Sequence, residues 1–337
     1  MNILLPVYQH PTLAVLIDDS QSFLDSLAFQ LPPQLARKTF CDTNEALLWL
    51  RQANRNFTNV NQPIRVSYDE QNLSFERRTV AVEVDQIYRM VTNKYRFLMP
   101  SVLVIDYAMP QMDGLAFCQA IQDMPFKKIL LTGQADEKIA IEAFNNSLID
   151  RYIKKSEPDA LERLETGIAR LQKDFFIEQS RTLKDILVRH SYAFLSDPAV
   201  GSLIEQLCSR YGFVEYYLFP NPTGILFFDL KGKATLMIVE TESGLLSQFE
   251  VAQDQNGPIE LLTALRELRI VPFFSDSGGM YSESINNDWL SYCLPAQVCR
   301  GKQDFYWALF DLPSCYLQSP IYSYADFLRE QTSDRTS

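Results

Sequence analysis

The sequence predicts an α/β fold: an open, doubly wound, five-stranded parallel sheet, then a long helix and a second domain of α+β type. Two observations carry this. Short apolar runs at residues 13–17, 102–105, 129–131 and 152–153 alternate with helical stretches, the pattern of βαβ units. Each run also stops at a polar residue: the pair Asp18 and Asp19, then Asp106, then Thr132, then Lys154 and Lys155. In an open α/β sheet, ligands bind outside the carboxyl ends of the strands. These side chains are therefore expected to gather at one end of one sheet.

The elements follow in order. After strand 13–17, a helix starting near Ser20 carries Phe23, Leu24, Leu27 and Ala28 at helical spacing and ends at Pro32-Pro33. Residues 37–41 read as the second strand and 42–51 as the second helix. Residues 53–98 then intervene, far longer than an ordinary connection. This insertion opens with Asn54, Asn56, Asn59, Asn61 and Pro63, a loop composition. A hairpin of residues 64–68 and 73–75 is expected next, then a helix over 82–95 with Val84, Ile87, Tyr88 and Val91 on one face. It reads as a surface elaboration or a partner-binding appendage. Strand 102–105, helix 115–123, strand 129–131, helix 136–145 and strand 151–153 complete the sheet. From Pro158, Leu161, Leu164, Ile168, Leu171 and Phe175 follow 3-4 spacing, and the stripe shifts to Phe176, Leu183, Leu187 and His190. Such a stripe suits a coiled-coil seam or a last helix packed on its own sheet. His190 reads as a capping or packed side chain. The expected division is a domain of residues 1–156 with its insertion at 53–98, a connecting helix at 157–190, and a second domain at 191–337.

Three carboxylates brought close together repel one another and call for a hard cation. Mg²⁺ prefers oxygen ligands, and usually keeps waters and a phosphate oxygen. A carboxylate can also act as a nucleophile and form an aspartyl phosphate. A transferring phosphoryl group spreads negative charge over its oxygens, which a cation, an ammonium and a hydroxyl donor would stabilise.

The blocks LAVLIDDS, SVLVIDYAMPQMDG, KKILLTG and YIKKS resemble the receiver domain of two-component response regulators. The resemblance covers roughly residues 10–172. It implies Asp106 as phosphoacceptor, with Mg²⁺ held by Asp18, Asp19, Asp106 and the Ala108 carbonyl. It also implies Thr132 and Lys155 as phosphoryl ligands and Tyr152 as an aromatic switch. A sensor histidine kinase would be the phosphodonor and a homodimer the responsive state. The chain departs from the pattern at Ser156, where the family usually has proline, often after a cis bond; cis bonds are nearly confined to X–Pro. Lys154 beside Lys155 also leaves two ammonium candidates. The layout as a whole is similar to that of quorum-sensing response regulators, which implies a role in cell-density signalling.

Composition narrows the remaining classes. The chain has 337 residues and a formal net charge of −11, and its length suggests two domains. No apolar run is long enough for a transmembrane helix, and the first residues lack the basic and apolar regions of a signal peptide. No membrane association is expected, and a cytoplasmic location is. The six cysteines are scattered without a C-x-x-C and there are two histidines, which argues against disulfide and zinc frameworks. Residues 191–337 hold 9 Lys/Arg against 18 Asp/Glu, a poor balance for neutralising DNA phosphates.

In the second domain the sequence predicts helix 198–210, strand 213–219, a hairpin of 225–230 and 234–240, helix 259–269, strands 270–274 and 305–311, and helix 322–330. Ser277-Gly278-Gly279-Met280 is a weak phosphate cradle and reads as a plain loop. No enzymatic signature stands out beyond receiver phosphorylation and dephosphorylation. Three output classes stay open: a protein-interaction or dimerisation module, an atypical nucleic-acid-binding regulator, and a domain that binds or processes a nucleotide.

Overall fold

The computed structural model describes residues 5–59, 64–68, 78–133, 137–285, 287–317 and 321–333. The chain divides into two compact units. One comprises residues 10–62, 94–179 and 327–337, and the other residues 1–9, 63–93 and 180–326.

The first unit holds the expected doubly wound sheet. Its five parallel strands lie in the order Arg37–Phe40, Leu13–Ile17, Pro100–Asp106, Lys127–Thr132 and Arg151–Lys154. Leu13–Ile17 is buried throughout, as is Pro100–Asp106. Strands covered on both faces read as continuous apolar runs, which is how these appear in the sequence. On one face Ala14, Leu16, Val102, Val104, Ile129, Leu131 and Ile153 meet Leu24 and Leu27 of helix Gln21–Gln30 and Leu164, Ile168 and Leu171 of helix Ala160–Gln179. Helices Thr43–Asn59, Gly114–Ala120 and Glu137–Asn145 complete the unit's connections.

The second unit is built on a six-stranded antiparallel sheet in the order Tyr8–Gln9, Phe213–Phe219, Gly224–Asp229, Ala234–Thr241, Asp304–Asp311 and Gln297–Arg300. Helices Pro198–Tyr211, Glu242–Asp254 and Ile259–Arg266 belong to it. Asp197 caps the first through the Ala199 amide, and Gly212 closes it at φ 70°, a left-handed turn that glycine adopts without strain. The expected hairpin over residues 225–240 is present. Helix Glu242–Asp254 was not foreseen; its hydrophobic residues include only Leu245 and Ala252 as fully buried side chains.

The structure corrects several expectations. The insertion is not an appendage of the first unit, because residues 63–93 belong to the second. Ile87 and Val91 are fully buried in a core with Tyr217, Leu218 and Phe227. The helix before the insertion runs on to Asn59, so Asn54, Asn56 and Asn59 are helical rather than loop. Strand Ile64–Tyr68 pairs with Arg78–Val82; residues 73–75, expected as its partner, lie outside the described residues. The helix expected over 82–95 is a short α-helix, Val84–Arg89, followed by 3₁₀ turns.

The long connecting helix also divides differently. Ala160–Gln179 belongs to the first unit, whereas Ser180 and helix Arg181–Leu187 belong to the second. The stripe of Leu164, Ile168 and Leu171 is covered by the unit's own sheet, so it is no open coiled-coil seam. His190 is exposed.

Candidate functional site: an acidic pocket at the strand ends

The strand order puts Leu13–Ile17 and Pro100–Asp106 side by side, with their connections leaving in opposite directions. This is a topological switch point, where α/β sheets form binding crevices. The register pairs Ile17 with Ile105 and Asp106 with Leu131, and Thr132 with Lys154. Hence Asp18, Asp19, Asp106, Thr132 and Lys155 all emerge at one end of the sheet.

Ligand oxygens of Asp18, Asp19 and Asp106 lie within 4.8 Å of one another. Asp18 and Asp106 are buried, at 3% and 6% exposure, and Asp19 is exposed. The Lys155 ammonium bridges the buried pair, donating to Asp18 Oδ2 at 2.7 Å and approaching Asp106 Oδ1 at 2.8 Å. Burial opposes its charge, but the hydrogen bonds it donates to Asp106 and Asp18 and their negative charges outweigh that opposition, so its pKa stands above the ordinary lysine value. The other oxygens are held by the backbone: the Ser20 amide donates to Asp18 Oδ1 at 2.9 Å and the Ala108 amide to Asp106 Oδ2 at 3.1 Å. Of the two lysines in tandem, Lys155 is therefore the one that reaches the pocket.

Thr132 is fully buried, and its Oγ1 has no hydrogen-bond partner among the described residues. An unsatisfied buried hydroxyl costs about 1–3 kcal/mol. Tyr152, next along the edge strand, is half-buried. The loop after Asp106 is tightly packed. Gly114 lies so close that a Cβ on it would meet the Asp106 carbonyl oxygen at 2.4 Å. Asp113 caps the following helix through the Ala116 amide at 2.8 Å. Met109 is buried. Within the motif Met109-Pro110 and Met112-Asp113-Gly114, Gly114 thus packs on the Asp106 backbone and Asp113 starts the next helix.

The donor set suits a hard divalent cation: three carboxylates and no histidine or thiolate. The same pocket offers one ammonium, and the Thr132 strand ends at the same edge of the sheet. Sequence reading did not foresee the Ala108 amide as a partner of Asp106. Its signal was the local one: an aspartate often accepts from the amide two residues on.

A response regulator receiver domain model matches residues 69–165, which takes in Asp106, Thr132, Tyr152 and Lys155. Among solved structures, the Legionella pneumophila response regulator LqsR is 32% identical, over 98% of this chain and 97% of that one, with a TM-score of 0.78. The chain belongs to the response regulators with a receiver domain. This response regulator is also similar to the receiver domain of Francisella response regulator 1452, at 19% identity over 48% of this chain and 98% of that one, with a TM-score of 0.30. A receiver domain protein from Clostridium thermocellum is 18% identical over 51% and 98%, with the same TM-score of 0.30. A search of curated proteins returned no match. No helix of the described residues is long and apolar enough to cross a membrane.

Proposed function

We propose that this response regulator is a phosphorylation switch, with Asp106 as phosphoacceptor. The observation that carries the reading is Lys155 bridging Asp18 and Asp106 within a cluster of three carboxylates at the strand ends. An Asp106 oxygen attacks the phosphorus of a phosphohistidine on a sensor kinase, or of a small acyl phosphate. The P–N or P–O bond breaks, and its electron pair leaves with the donor group. The product is a mixed anhydride, which water hydrolyses back to aspartate and inorganic phosphate.

Asp18, Asp19 and Asp106, with the Ala108 carbonyl, would hold Mg²⁺, which when bound neutralises charge on the transferring group. Lys155 pairs with one phosphoryl oxygen and Thr132 donates to another. Withdrawal of Thr132 toward the phosphate makes room for Tyr152 to turn inward, a local charge change read out by a two-state surface. The responsive surface acts in dimerisation and in contacts of the second unit. It works in cell-density signalling, as the layout of the chain suggests.

The test is acid-labile phosphate incorporation from acetyl phosphate with Mg²⁺. Wild type is expected to label, Asp106→Asn to show no incorporation, and Thr132→Ala to label more slowly. Undiminished labelling of Asp106→Asn would remove Asp106 from this role.

A further inference from the structure

Phe23 reads in the sequence as one of several apolar residues on the first helix, and it does pack beside the core that Leu24 and Leu27 enter. Its ring has a second neighbour. The Lys155 ammonium sits 4.1 Å from the Phe23 ring centroid, while also contacting Asp18 at 2.7 Å and Asp106 at 2.8 Å. An ammonium has three N–H bonds. Two carboxylates take up N–H bonds, and the nitrogen also lies over the face of the ring. An aromatic face within about 6 Å of a cation attracts it through its quadrupole.

The ring is held by a closed circuit of contacts. The Asp18 carboxylate accepts from the Ser20 amide at 2.9 Å. The Ser20 hydroxyl accepts from the Phe23 amide at 3.3 Å and so caps the helix. Phe23 meets Lys155, and Lys155 returns to Asp18. Ser20 therefore sets the height of the helix's first turn, and with it the height of the ring above the pocket. The Lys155 side chain is 31% exposed, so without the ring its flexible stem has an open side to swing toward.

We propose that Phe23 is a positioning residue for phosphoryl transfer, holding the Lys155 ammonium over Asp106 through the face of its ring. The proposal rests on the phosphoacceptor reading for its effect on rate, but not for its effect on where Lys155 sits. The deciding property is the aromatic face and not apolar volume, which separates this role from plain packing.

The experiment compares wild type with Phe23→Leu, Phe23→Tyr and Phe23→Trp in the full chain. Two quantities are measured: the initial rate of phosphate incorporation from acetyl phosphate with Mg²⁺, and the NMR shift of the Lys155 ε-methylene in the unphosphorylated protein. Leucine is expected to slow incorporation about 3- to 10-fold and to abolish the ring-current shift, with tyrosine and tryptophan within about twofold of wild type. Leucine labelling as fast as wild type would overturn the proposal, as would equal loss in the leucine and tyrosine variants. If wild type itself takes up no phosphate, the phosphoacceptor reading fails. The methylene shift then decides the placement of Lys155: a wild-type shift that survives in Phe23→Leu overturns it.

Discussion

Asp18 ties the pocket to the chain on either side of it. One oxygen holds the Ser20 amide and the other holds Lys155, 137 residues away in sequence. Gly114 is constrained as closely, since any side chain would press on the carbonyl of Asp106. Gly114→Ala should slow phosphate incorporation and cost about 1–3 kcal/mol of stability, the usual penalty for overpacking. Paired urea unfolding and labelling assays check both. Elsewhere, burial pushes the Glu240 carboxyl up to about 7, while its unfolded value is the ordinary 4.5. Below both values the residue is protonated in either state. Between them only the unfolded chain has lost the proton, so stability falls as pH rises through this window and levels off above it. Glu240→Gln should remove that slope. At pH 8 the variant should be more stable than wild type by about 1–2 kcal/mol, after discount for partial solvation. At pH 4 the two should be close. Melting temperatures recorded from pH 4 to 8 decide it.

At the scale of the element, helix Ala160–Gln179 shows how one pattern serves two architectures. Heptad-like spacing suits a partner helix and suits a sheet equally, because either demands one apolar stripe. Here the sheet takes it: Leu164 is 3% exposed and Ile168 1%. Leu164→Glu with Ile168→Glu would bury two unpaired carboxylates. The expected result is loss of roughly 3–5 kcal/mol of stability, seen as a lowered urea midpoint at any protein concentration. A folded variant with unchanged midpoint and weakened self-association would restore the coiled-coil reading. The same reasoning separates the two halves of the site. The strands were legible from buried apolar runs, and the polar residues closing them are where such sheets bind ligands. The Phe23 contact was not legible, because an aromatic residue on a helix face has the same pattern whether its ring meets leucines or an ammonium.

At the scale of the molecule, the chain passes between its two units repeatedly, at residues 9–10, 62–63, 93–94, 179–180 and 326–327. A long surface insertion costs little and is removable. Residues 63–93 are of another kind, since Ile87 and Val91 are buried in the second unit's core. Replacing residues 63–93 by a short linker should therefore destabilise the second unit by roughly 4 kcal/mol or more. Chemical denaturation followed by the fluorescence of Trp307, buried in that core, reads this out. A midpoint equal to wild type would return the segment to the status of a tolerated elaboration.

By itself the sequence determined the parallel sheet, the five polar residues at its strand ends and the kind of chemistry they suit. Those features are local: a buried strand is an apolar run, and the residue that closes it sits at a known end of the sheet. Only the tertiary structure decided which surface covers the 160–179 stripe, to which unit the insertion belongs, which lysine reaches Asp106 and which ring meets that lysine. Each of those is a choice between partners far apart in the chain. Apolar periodicity states that a face must be covered, but it carries no record of what covers it.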